Sequence, residues 1–293
     1  MRVTQQSISR SSLANIQASL NRSAKLQEQM TSGKVLNRPS DSPTGTVTSL
    51  SLRSQISAQE QYGANAQDGS AWLTAQDTAL QSFHSTLQRV RELTVQAANT
   101  GSMDSGARDA IAEEMTTLRG TLTGLANTTY LGRPVFGGTT AGGAAFDSDT
   151  YSYVGNSGDV TRRIDDRTRV SVGADGSVIF GDGAGSVFAF LDGLADNVRN
   201  NPSALSSDLT ALDGRMGTVL NALTDVGVRT NQVEQARTAA TDKALDLRST
   251  LSGVEDIDLP SVIIDMQLQE STYQAALSAT AKVIQPTLMD FLR

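Results

Sequence analysis

The chain has 293 residues, with Lys and Arg numbering 24 against 31 Asp and Glu, a net charge of -7 and a pI near 4.8. That balance excludes a phosphate-binding surface as its main business, because neutralising nucleic acid requires an excess of cations. No cysteine is present, so disulfides, thiolate metal sites and cysteine nucleophiles are excluded together.

Apolar residues are 38% of the chain and aromatics only 4%. Large anchors for a deep core are therefore scarce, and thin, elongated packing is expected. The N-terminus, MRVTQQSISRSSLANIQASL, lacks the continuous apolar stretch of a secretory signal peptide. The longest apolar run, residues 187–191, is far short of a membrane span.

Spacings of three and four dominate the apolar pattern and line one face of a helix. The first stripe is Leu13, Ile16, Leu20, Ala24 and Met30, with Gly33 placed to end the helix. The segment SGKVLNRPSDSPTG, residues 32–45, then breaks the rhythm. A second helix is expected to begin at Ser40 or Asp41 as cap, with Pro43 in its first turn. Its stripe runs through Leu73, Leu80, Phe83, Leu87, Val90 and Ala97, and Thr100-Gly101-Ser102 closes it. A third helix, capped by Asp104 or Ser105, carries Ile111, Met115, Leu118, Leu122 and Leu125.

Helix is abandoned over residues 137–185, which are rich in Gly, Asp, Ser and Thr. Alternation at Tyr151/Tyr153 and Val170/Val172, and an Asp175-Gly176 turn before Val178, Ile179 and Phe180, predict a small β-rich insert. Helix resumes at Val187, Phe188, Leu191, Leu194 and Val198 and stops at Asn200-Asn201-Pro202. From Leu205 to Val254 a 4-3 spacing continues unbroken, with Thr230 and Arg237 its only polar members, and predicts a long rod helix. After Asp258-Leu259-Pro260, a last helix carries Val262, Met266, Tyr273, Leu277, Ile284, Leu288 and Phe291, with Pro286 positioned to disturb its end.

Both ends are thus amphipathic helices with no third element expected beside them, and an isolated helix gains too little in water to stay ordered. Leu13, Ile16, Leu20, Met266, Tyr273, Leu277, Ile284, Leu288 and Phe291 are therefore assigned to an assembly interface between copies, loose in the lone chain. Leu87, Val90 and Leu93 are assigned to packing within the rod, and the 32–45 segment to a joint that lets rod and terminal helix order separately.

Catalysis finds no support. His84 is the only histidine, so an H-E-x-x-H zinc site cannot be built. Residues 181–185, GDGAG, lack the Lys and Ser/Thr of a phosphate loop. Asp147 and Asp149 open like a calcium loop, but Tyr151 and Gly158 fall where oxygen ligands are needed. Arg162, Arg163, Arg167 and Arg169 with Asp165 and Asp166 read as a solvated charged surface. No enzyme activity, cofactor or metal is expected.

Four segments resemble the bacterial flagellin family in family order: the 32–45 turn, residues 87–99 (LQRVRELTVQAAN), residues 226–232 (VGVRTNQ) and residues 267–277 (QLQESTYQAAL). The resemblance implies a mainly α, elongated flagellin-like rod with a discontinuous terminal coiled-coil domain, 1–44 with 255–293. It also implies a helical rod of 45–136 with 186–254, and a β-rich outer insert, 137–185.

Met1-Arg2-Val3, residues 132–138 (GRPVFGG) and residues 187–192 (VFAFLD) lean toward the family members of the hook-filament junction. Residues 87–99 keep the filament subunit, flagellin, as the alternative. For a junction member the resemblance implies partners: further copies in a ring, the hook-side junction protein (flagellar hook-associated protein 1), flagellin, and an export chaperone on the C-terminal helix. It further implies type III export to the extracellular flagellum without a cleaved signal peptide.

Overall fold

The computed structural model describes residues 5–99 and 104–284. Helix α1 spans Gln5–Ser32 and ends where Gly33 adopts φ +70, a left-handed conformation that only glycine reaches without strain. Helix α2 spans Pro43–Asn99. Its cap is Ser42, whose Oγ accepts from the Gly45 N–H at 3.1 Å, with Pro43 as the first helical residue. This corrects the assignment to Ser40 or Asp41: the Asp41 carboxylate is occupied, accepting from the Arg38 and Asn37 N–H groups and pairing with Lys25 at 2.9 Å.

Helix α3 (Ser105–Ala126) leads to a two-stranded turn, β1 (Thr129–Tyr130) with β2 (Arg133–Pro134). Strands β3 (Thr161–Arg163) and β4 (Arg169–Ser171) form a second antiparallel pair. The hairpin expected at Asp175-Gly176 is not formed. Asp175 instead caps a short helix, α4 (Gly176–Phe180), its Oδ1 accepting from the Ser177 N–H at 2.9 Å and the Ser177 hydroxyl at 2.6 Å. An aspartate with a free N–H two residues on serves a helix start as well as a turn, and here burial of Ile179 and Phe180 selects the helix. Helices α5 (Val187–Asn200), α6 (Leu205–Glu255) and α7 (Leu259–Ile284) complete the chain.

The described residues divide into two compact units, one of Ala58–Asp242 and one holding those up to Ser57 and from Lys243 onward. In the first, the α2 stripe is a closed seam: Leu73, Leu80, Phe83, Leu87 and Val90 are fully buried and Leu93 nearly so. They pack with Ile111, Met115 and Leu122 of α3, Val187, Phe188 and Leu191 of α5, and Leu205, Leu212, Val219, Val226 and Val233 of α6. Residues 137–185 supply Phe146, Val160, Val170, Val172 and Phe180 to the same core.

Phe180 is the centre of an aromatic cluster, with ring centroids 4.5 Å from Phe83, 5.2 Å from Phe136 and 5.9 Å from Phe146. Aromatics are few in this chain, and concentrating them at one point lets a small number of rings close the seam. Gln76 is the polar exception. Its Nε2 is buried and donates to the Val135 carbonyl at 2.8 Å and the Val172 carbonyl at 3.1 Å, tying α2 to the chain beyond β2 and β4.

Candidate assembly surface

In the terminal unit, α1 and α7 lie against each other. The contacts between Ser19 and Gln269 and between Lys34 and Asp256 set them antiparallel. Each of the two helices is the other's neighbour. The covered face of α1 is Ile16, Ser19, Ser23 and Leu26, and that of α7 is Val262, Met266, Gln269, Tyr273, Ala276 and Thr280. Their 3-4 spacing makes both faces continuous seams. Small serines let the backbones approach, and the Gln269 Nε2 donates to the buried Ser19 hydroxyl at 2.5 Å and its carbonyl at 3.2 Å.

The sequence-assigned interface residues therefore split into two groups. Ile16, Met266 and Tyr273 are half-buried in the α1–α7 seam. Leu13, Leu20 and Leu277 are outside it, 61%, 46% and 42% exposed. Leu288, Phe291 and the side chain of Ile284 lie outside the described residues. The sequence reading missed Ile264 and Leu268, both 65% exposed on α7. Their apolar character four residues apart was visible but fell off the chosen stripe. After the seam has closed, each terminal helix still presents leucine or isoleucine to solvent.

The 32–45 segment is fastened rather than free. The Val35 N–H donates to the Glu255 carbonyl at 2.7 Å, and the Ile257 N–H to the Gly33 carbonyl at 3.1 Å. Beneath them the Glu255 side chain, 5% exposed, accepts from Lys34 Nζ at 2.8 Å and from Arg53 Nε and Nη2 at 2.9 and 2.7 Å. The Ser49 hydroxyl donates to it as well. These donors, the Arg53 pair above all, hold the Glu255 carboxyl down at about 2 against the opposing effect of burial. Nearby, Leu52, Ile56 and Leu247 form a small apolar cluster.

Charged groups on the rod helices are also taken up within the chain. Arg89 pairs with Glu114 of α3 at 2.8 Å and Arg91 with Asp213 of α6 at 2.6 Å. Arg162 of the charged cluster reaches Asp68 of α2 at 2.6 Å. Asp147 uses its Oδ1 on the N–H groups of Asp149 and Thr150, a local turn.

Residues 3–141 match the family model of the bacterial flagellin N-terminal helical region, covering α1, α2, α3 and the β1–β2 turn. That segment is a flagellin-family domain. Flagellin-family similarity extends past the matched segment. Flagellar hook-associated protein 3 of Salmonella typhimurium is 26% identical over 94% of this chain and 95% of its own length. Flagellin of Bacillus subtilis is 26% identical over 97% of each. The crystal structure of Bacillus cereus FlgL, 25% identical, superposes with a TM-score of 0.61 over 69% of this chain and 99% of that one. The flagellin family is one of structural proteins of the bacterial flagellum, not of enzymes.

Proposed function

We propose that this chain is a structural protein of the hook-filament junction. In this reading it self-assembles into a ring that joins the hook-side junction protein to the flagellin filament. The relatives of hook-associated protein 3 type, matched over nearly their whole length, support the junction placement. The observation that carries the assembly mechanism is the exposed apolar face of the terminal pair, Leu13 and Leu20 on α1 with Ile264, Leu268 and Leu277 on α7.

Burying a leucine or isoleucine fully is worth about 1.5–3 kcal/mol. Several such residues covered by neighbouring copies would offset the ordering of a hairpin whose own seam is partly polar. Residues 1–44 and 255–293 then act as the inner assembly layer. Ile284, Leu288 and Phe291 join them, the C-terminal helix being held by an export chaperone until the chain, exported through the type III channel, reaches its partners outside the cell.

Deletion of the gene in the native bacterium tests the placement. Cells should lose filaments while intact flagellin accumulates in the medium, and wild-type chain should restore them. A medium free of flagellin would support the other reading, flagellin itself, which residues 87–99 and the equal match to Bacillus subtilis flagellin favour. Long filaments grown from the purified chain alone would overturn the junction assignment.

A further inference from the structure

We propose that Glu255 is an acid-releasable latch that fixes the root of the α1–α7 hairpin, holding the α1–α2 loop, the start of α2 and the α6–α7 break at one point. The inference stands independently of where in the flagellum the chain is placed.

Three chain segments converge on one carboxylate. Lys34 comes from the loop, Ser49 and Arg53 from α2, and Glu255 itself is the last residue of α6. The partners lie 202 to 221 residues from Glu255. Both backbone links between the loop and the α6–α7 break, Val35 to Glu255 and Ile257 to Gly33, flank this carboxylate. A buried, multiply bonded anion cannot be replaced by a neutral group without stranding its donors.

Only Lys34 and Arg53 bring charge into contact with Glu255 among the described residues. Arg38 lines the same small cavity of about 140 Å³ but is paired with Glu28, and the adjacent Asp256 accepts from the Ser252 hydroxyl. The remaining tie between α1 and α7 is their own seam, across which Gln269 hydrogen-bonds to Ser19. Loss of the latch should therefore loosen both terminal helices together.

The direction of the pH dependence follows from the bonds. Glu255 titrates at about 2 in the folded chain against an ordinary 4.5, so the folded state binds this proton more weakly. Its contribution is complete above about pH 4.5 and is lost as the pH falls from there toward 2.

Amide hydrogen exchange of the full chain, corrected for intrinsic rates, tests the latch in two arms. At pH 7, Glu255→Gln should speed exchange in Gln5–Ser32 and Leu259–Ile284 by about tenfold while Ala58–Asp242 stays unchanged, and Arg53→Gln should act in the same direction more weakly. In the wild type the same helices should lose protection between pH 5 and pH 3, an interval over which Glu255→Gln stays flat. The wild-type arm needs no variant to fold. Unchanged terminal exchange in Glu255→Gln, acceleration spread equally over both units, or a wild-type profile flat with pH would each overturn the latch.

Discussion

The unit of Ala58–Asp242 and the terminal unit are built from the same 3-4 apolar spacing, yet they bury it differently. Among the described residues, the largest wholly enclosed side chains, from Trp72 and Phe83 to Met115 and Leu122, lie in the first. Among the described residues the terminal unit buries Leu52, Ile56, Ala244, Leu247 and Val262, each at 6–9% exposure, and fills much of the α1–α7 seam with Ser19, Gln269 and Tyr273. The difference is the third element. Residues 137–185 and α5 cover the α2–α6 seam, whereas α1 and α7 have one another and then solvent. Periodicity marks a face that wants cover, and leaves open whether the chain itself supplies it.

Mutations can sharpen that contrast. Phe188→Ala, at the crowded aromatic cluster, should destabilise Ala58–Asp242 by about 3–5 kcal/mol in denaturant unfolding, since a rigid core cannot collapse around the void. Gln76→Ala leaves the Val135 and Val172 carbonyls without their buried donor, and a loss of about 1–3 kcal/mol is expected by the same measurement.

In the terminal unit, Gln269→Ala should cost about 1 kcal/mol, seen as faster amide exchange in α1 and α7 alone. Leu20→Asn, on the exposed face, should change monomer stability by less than about 0.5 kcal/mol and yet abolish incorporation into assembled flagella in a motility complementation assay. A Leu20→Asn chain that assembles normally, or a Phe188→Ala chain as stable as the parent, would erase the distinction between the two units.

Helices, their rough limits and the rod seam of Leu87, Val90 and Leu93 were legible because each rests on local rules: spacing, a glycine stop, a proline in the first turn. Ser42 was passed over as cap because Ser40, Asp41 and Ser42 are chemically equivalent in sequence, and only the Asp41 contacts to Lys25, Asn37 and Arg38 separate them. The α1 face turned to α7 was not legible, because it runs through Ser19 and Ser23 beside Ile16 and Leu26. Small residues allow close approach, and an apolar count cannot see them. Glu255 was invisible for a different reason: a single glutamate carries no signal when its donors are more than 200 residues away.

The burial rhythm of α6 sets a rule for how this chain can change length. Positions 205, 212, 219, 226, 233, 240 and 247 are all buried, one every seven residues, and Glu255 closes the same helix. Each residue added to or removed from a helix rotates everything downstream by about 100°. One deletion near Asn221 would turn the later valines and alanines outward and carry Glu255 away from Arg53. A whole heptad would keep the buried face in phase but still shift Glu255 about 10 Å along the axis, so α6 should hold its length as well as its phase.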